Sequence, residues 1–264
     1  MNGDNRMQDA PVNPDVGTQG APAPDLGTQA AYGVPLLDCQ NLNKSFVPGV
    51  PVLHGLSFAL GRGRILGVLG PNGSGKTTLL KLIAGLLTPN SGTIAINGLP
   101  VGVETKKLVA YLPDRSPLDE GMKVSALVRF YADFFADFDP SRAEDLLGRL
   151  SIPARAKLGT LSKGNREKVR LILTMSRRAQ LYLLDEPIGG VDPAARDYIL
   201  DTILSNYGEG ASILLSTHLI RDVEPVLNDV MFLANGGILL ASTVDEIHAQ
   251  GRSVDDLFRE VYRC

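Results

Sequence analysis

Cysteine, net charge and long apolar runs are all scarce in this chain of 264 residues. Its two cysteines, Cys39 and Cys264, stand alone and fit neither a disulfide framework nor a metal-ligand spacing. Isolated thiols of this kind suit a reducing cytosol. The formal net charge is only −3, and residues 1–35, with four Asp and one Arg, account for all of it. The remainder is neutral and offers no electrostatic footprint for nucleic acid, so no nucleic-acid partner is expected. No apolar run approaches the roughly 18 residues that a membrane-spanning helix requires. The first residues lack a basic stretch followed by an apolar core, so no secretory signal is expected.

Hydrophobic residues make up 44% of the chain and charged residues 21%, which is ordinary for a globular protein, and 264 residues are enough for one large α/β domain or a core plus a subdomain. Residues 1–35 depart from that average. They are rich in Pro, Gly, Gln, Asn and Asp, hold almost no large apolar side chains, and are expected to form a disordered tail. The tail carries a near-repeat, Pro-Asp-Val-Gly-Thr-Gln at 14–19 and Pro-Asp-Leu-Gly-Thr-Gln at 24–29, which reads as drifted low-complexity sequence.

From Leu36 onward, apolar runs alternate with helical stretches, the pattern of an α/β fold with a largely parallel sheet. Strands are expected at 36–42, 56–60, 65–69, 92–96, 109–112, 181–184, 212–215, 229–233 and 238–241. The early ones, joined by turns, read as antiparallel. Between Asp114 and Gln180 there is no strand candidate, and 124–138, 142–150 and 166–178 read as helices. A helical segment therefore interrupts the sheet. Its aromatic stripe, Phe130, Tyr131, Phe134, Phe135 and Phe138, reads as packing.

Two motifs carry chemistry. The first is Gly70-Pro71-Asn72-Gly73-Ser74-Gly75-Lys76-Thr77-Thr78, which fits the Walker A pattern between an apolar strand and a helix expected over 76–87. Glycines let backbone N–H groups curl around an anion, and the helix N-terminus adds partial positive charge. Lys76 can reach β- and γ-phosphates, and the Thr77 hydroxyl can ligate Mg²⁺. The second motif lies about 110 residues on, where the apolar run Leu181–Leu184 ends in Asp185-Glu186-Pro187. Asp185 is placed to hold Mg²⁺ as Walker B, and Glu186 to act as general base on water.

With these motifs in order, the chain resembles the ABC ATPases, the nucleotide-binding subunits of ABC transporters. The resemblance covers residues 36 to about 242. It adds the signature Leu161-Ser162-Lys163-Gly164-Asn165, the Asp-loop ending in Asp192, the switch residue His218, and Phe46 as an adenine platform. It implies a P-loop NTPase (RecA-like) core with an antiparallel β subdomain and an inserted α-helical subdomain. The divisions expected are a tail at 1–35, an ATPase domain at 36–264, a helical subdomain at about 115–179 and a C-terminal helical extension at 243–264. It implies ATP and Mg²⁺ as ligands, a dimer in which the signature of one chain caps the nucleotide of the other, and catalytic roles for Glu186 and His218. His54 and His248 receive no role.

Two positions depart from the family pattern. Asp114 replaces the glutamine of the Q-loop, offering Mg²⁺ a charged oxygen on a shorter side chain. Lys163 and Asn165 replace the first signature glycine and the signature glutamine, which leaves both a homodimer and a heterodimer open. The inserted helices and the Leu-Ser-Lys-Gly signature are similar to ATPases of bacterial ABC-2-type exporters. That likeness implies a separate transmembrane permease subunit, met around 114–123, and a peripheral place at the cytoplasmic face of the plasma membrane. Isolated, the chain is expected to be soluble. A soluble ABC ATPase acting as a scaffold or assembly factor is the alternative.

Overall fold

The computed structural model describes residues 25–26, 34–115, 117–191 and 193–262. Most of the expected tail, together with Asp192 and Cys264, lies outside the described residues. From that tail only β1 (Asp25–Leu26), whose backbone pairs in parallel with Ala59–Leu60, and Val34–Pro35 are described.

The chain first builds an antiparallel layer from β2 (Leu37–Val47) and β3 (Val50–Leu60). It then enters the second sheet with β4 (Ile65–Leu69), which runs into α1 (Lys76–Ile83). β5 (Ser91–Ile96) and the two-residue β6 (Leu99–Pro100) return to the first layer, giving the order β1-β3-β2-β5-β6. Next come α2 (Val103–Leu108) and β7 (Val109–Leu112). Three helices follow: α3 (Val124–Phe134), α4 (Pro140–Arg149) and α5 (Lys163–Met175). The second sheet is completed by β8 (Leu181–Asp185), α6 (Pro193–Asn206), β9 (Ser212–Thr217), α7 (Ile220–Val223), β10 (Asp229–Ala234) and β11 (Gly237–Thr243). Helices α8 (Val244–Ala249) and α9 (Val254–Val261) follow. The order of the second sheet is β11-β10-β4-β9-β8-β7, parallel except for β11.

Alternation in the central strands divides the core. Tyr182 and Leu184 pack with α5, α6, α8 and α9, while Leu181 and Leu183 pack with α1 and the antiparallel layer. Every residue of β8 and β9 is buried, which is why these strands read as continuous apolar runs. Each fully buried Leu of this core contributes about 1.5–3 kcal/mol. The inserted helices have their own core, from Val124, Leu127 and Leu147 to Ile172 and Leu173. Arg177 ties them to the sheet. Its guanidinium donates to the Val109 carbonyl at 2.6 Å, pairs with Asp137 at 3.0 Å and lies 4.2 Å from the Phe135 ring.

Element ends differ from the sequence expectation for local reasons. Helix α1 stops at Ile83 because Gly85 takes φ +68°, and the Leu86 and Gly85 amides donate to the Lys81 and Leu82 carbonyls in a Schellman cap. Helix α4 starts two residues early because Asp139 caps it and Pro140 occupies its first position. Helix α5 begins at Lys163, directly after its cap Ser162. The aromatic stripe does not all pack. Tyr131, Phe135 and Phe138 join the helical core, but α3 ends at Phe134 and leaves Phe130 and Phe134 exposed.

Candidate functional site

Strand β4 delivers the loop Gly70–Gly75, and α1 begins at Lys76. The glycines are needed where they stand. A Cβ on Gly75, at φ +105°, would meet Leu53 Cδ2 at 2.5 Å and Val52 O at 3.1 Å. Lys76 lies back along the loop: its ammonium donates to the Gly70 carbonyl at 2.8 Å and the Pro71 carbonyl at 3.1 Å. The loop lines a cleft of about 240 Å³ with Val52, Thr77, Thr78, Asp114 and Glu186.

Strand β8 carries Asp185 to a buried place against Thr77 of this cleft. Its Oδ1 accepts from Ser216 at 2.6 Å and from Thr77 at 3.1 Å, and Tyr111 OH lies 3.5 Å from Oδ2. Burial raises the Asp185 pKa, its hydrogen bonds oppose the rise, and the negative charge of Asp114 adds to it. Burial likewise lowers Lys76, against the pull of Glu186 and Asp185.

Glu186 sits one residue further on at φ +51°, a left-handed backbone that is costly for a side chain with a Cβ. Its amide pairs with the Ser216 carbonyl at 3.0 Å, and its carbonyl receives the Gly189 amide at 2.9 Å. These bonds hold the carboxylate at the mouth of the cleft. There Thr217 Oγ1 donates to it at 3.1 Å, His218 Nδ1 lies 3.0 Å away and Lys76 Nζ 3.8 Å away. The structure thus brings Lys76, Thr77, Asp114, Asp185, Glu186 and His218 together.

Two candidates, Phe46 and the signature, lie elsewhere. Phe46 is 59% exposed on β2 with Lys44 Nζ 5.2 Å from its ring centre, and it does not line the cleft. The signature Leu161–Asn165 runs through the cap Ser162 into the first turn of α5, also outside the cleft lining. Ser162 caps that helix through Asn165 N at 3.3 Å. Lys163 reaches toward the Asp-loop of its own chain, for a Cβ on Gly190 would meet its Nζ at 2.3 Å. Asp192 itself is outside the described residues. Sequence reasoning missed Ser216, Thr217 and Tyr111, which orient the two acids. Their signal was their place at the carboxyl ends of strands neighbouring β8.

The donor set suits a hard cation beside phosphate. Thr77, Asp185 and Asp114 offer oxygens, and the loop's Ser74 Oγ is buried with no partner among the described residues. Among the described residues no cluster of three or more His, Cys, Asp or Glu would hold a metal without a ligand's help.

The raised Asp185 pKa carries a stability consequence. A carboxyl whose folded pKa lies above its unfolded value contributes stability that is full below the unfolded value and is lost as pH rises through the folded one. Ionised Asp185 therefore costs stability at neutral pH. Asp185→Asn is expected to melt at a higher temperature than wild type at pH 7, with the difference shrinking as the pH is lowered into the carboxylate range. Paired melts across that range check this, and a variant less stable than wild type at pH 7 contradicts it.

Comparison with known proteins agrees with this geometry. The family model described as "ABC transporter" matches residues 53–189, just over half of the chain. The chain is 32% identical over 215 residues to ABC transporter ATP-binding protein YtrB of Bacillus subtilis, covering 80% of this chain and 73% of that protein. It is 30% identical to SkfA peptide export ATP-binding protein SkfE of the same organism, covering 85% of this chain and 96% of that one. A Nod factor export ATP-binding protein I of Rhizobium sp. is also 30% identical, over 76% of this chain and 68% of its own. Among solved structures, the ATP-binding subunit of an ABC transporter superposes with TM-score 0.77 at 32% identity, over 86% of this chain and 99% of that one. A nucleotide-free ABC transporter cassette at 21% identity shares the fold, with TM-score 0.71 over 87% of this chain and 99% of that one. The P-loop core, antiparallel layer and inserted helices are those of an ABC cassette, and the chain belongs to the ABC transporter family as one of its ATP-binding proteins.

Proposed function

We propose that this chain is the Mg²⁺-dependent ATP-hydrolysing subunit of an ABC exporter, working as a dimer on a separate transmembrane permease at the cytoplasmic face of the plasma membrane. The observation that carries this reading is the linkage of Lys76, Thr77, Asp185, Glu186 and His218 by hydrogen bonds and ion pairs at the phosphate loop, with Ser162 outside the lining of the cleft. On this reading the site is complete when two chains face each other. Among the described residues no helix is long and apolar enough to cross a membrane, and the reading gives that role to a separate permease. The export reading draws on relatives named for peptide export and Nod factor export.

Lys76 and the amides of Gly73–Thr78 hold the β- and γ-phosphates. Thr77 and Asp185, with Asp114 beside them, would hold Mg²⁺, which would supply positive charge to neutralise the phosphates. Glu186 orients a water and takes its proton. His218 steadies the Glu186 carboxylate and senses the γ-phosphate. Phe46 supplies an exposed aromatic face for adenine. Ser162, Lys163 and Gly164 cap the γ-phosphate held by the other chain. ATP binding draws the chains together because these contacts exist only in the closed state.

A tagged chain purified from membranes should bring with it a protein with about six apolar spans. Recovery from the soluble fraction alone, with a soluble partner, would favour the scaffold alternative and end the exporter reading.

Asp114 supplies a sharper test of the metal assignment. Asp114→Ala is expected to raise the Mg²⁺ concentration for half-maximal ATPase activity severalfold, and Asp114→Gln to restore most of it, because Asp and Gln offer an oxygen and Ala none. Identical Mg²⁺ titrations for all three proteins would remove Asp114 from the metal site and leave it a contact for the permease.

A further inference from the structure

Helix α9 and Tyr262, the residue after it, meet the phosphate loop from behind. The helix is firmly seated. Ser253 and Asp256 form a capping box at its start, and the Val254 amide donates to Glu224 Oε1 at 2.9 Å. Phe258 and Tyr262 stack at 4.2 Å between ring centres, and Phe232 of β10 closes the cluster at 5.6 and 6.2 Å from them.

The Tyr262 hydroxyl donates to the Leu233 carbonyl at 3.0 Å and lies 3.4 Å from the Leu69 carbonyl. Both carbonyls border the start of the loop. Leu69 ends β4, and its carbonyl belongs to the same rigid peptide as the Gly70 amide. The Leu233 carbonyl lies so close to Gly70 that a Cβ there would meet it at 2.3 Å. The Gly70 carbonyl in turn receives the Lys76 ammonium. A continuous path of bonded and touching groups therefore runs from α9 to the cation of the loop. Neither Tyr262 nor any other residue of this helix lines the cleft.

We propose that Tyr262 is a positioning residue for nucleotide binding: its hydroxyl fixes the peptide from which the phosphate loop departs, so that helix α9 sets how well the loop holds phosphate. The inference rests on the ATP-binding reading of the loop. Its physical basis is preorganisation. Backbone donors bind an anion most tightly when their peptide planes are already aimed, and a freed Leu69–Gly70 peptide must be re-aimed on binding. Burial pushes the Tyr262 phenol up to about 12, so it remains a donor throughout the neutral range. Any partner that draws α9 away would weaken nucleotide binding without entering the cleft.

The test is Tyr262→Phe, which keeps the stacked ring and removes only the hydroxyl. ATP affinity, ATPase kinetics and thermal stability are measured on the full chain. The expected result is a Kd and KM for ATP about three- to tenfold higher, the effect of one hydrogen bond, with kcat within about twofold of wild type. An unchanged Kd, with or without a lower melting temperature, would reduce Tyr262 to a structural contact and overturn the proposal. Failure of the wild-type chain to bind ATP appears in the same titration and counts against the ATP-binding reading itself.

Discussion

Lys76→Ala is expected to abolish measurable ATP binding while leaving the fold intact. Lys76 is the one cation at the loop among the described residues that line the cleft. In contact with phosphate its ammonium makes charge-assisted bonds, each contributing about 1.5–3 kcal/mol. Loss of two such bonds corresponds to a Kd higher by about 10²-fold or more. The effect on stability is much smaller because two contributions oppose each other. Burial disfavours the charged ammonium, so its removal relieves a desolvation cost. Against that, the Gly70 carbonyl loses its donor and Glu186 its neighbouring cation. Calorimetric titration together with a melting curve separates the two effects. A folded variant with wild-type affinity would overturn the assignment of the loop.

The second large effect is expected at Glu186. Glu186→Gln preserves the shape of the side chain and can still accept from Thr217 through its amide oxygen, so ATP affinity should change little. It cannot accept a proton from water, so turnover should fall by about 10²–10⁴. The left-handed backbone at this residue is held by Ser216 and Gly189 rather than by the carboxylate, so the variant keeps the local geometry. A loss in kcat with unchanged Kd identifies an interaction needed only in the reaction step. Wild-type turnover would exclude Glu186 as the base. A reduced affinity with normal kcat would make it a binding residue.

The parts legible in the sequence are those fixed by short-range chemistry. Gly70–Thr77 could be read because few residue types permit that loop, and Leu181–Glu186 because a strand buried on both faces must be apolar until it reaches the edge of the sheet. The strands Ile65–Leu69 and Val109–Leu112 were legible to the residue for the same reason. Less legible was anything decided by contacts across the chain. That Ser216 supports both Asp185 and Glu186 depends on the pairing of β8 with β9, which no local pattern specifies. That Phe134 faces outward depends on where α4 and α5 leave the surface uncovered. That Tyr262 stands behind Gly70 depends on a contact spanning 193 residues to Leu69. Asp114 was legible as a departure from pattern, and its place in the cleft emerged only when β7 was set beside β8.

In the proposed cycle two chains close around ATP and hydrolysis at Glu186 reopens them. Light scattering on Glu186→Gln after gel filtration, with and without ATP and Mg²⁺, tests it most directly. One chain's mass, about 28 kDa, is expected without nucleotide, and twice that mass with one ATP retained per chain when nucleotide is present. The same 28 kDa mass in both conditions, for a variant that binds ATP with wild-type affinity, would contradict it.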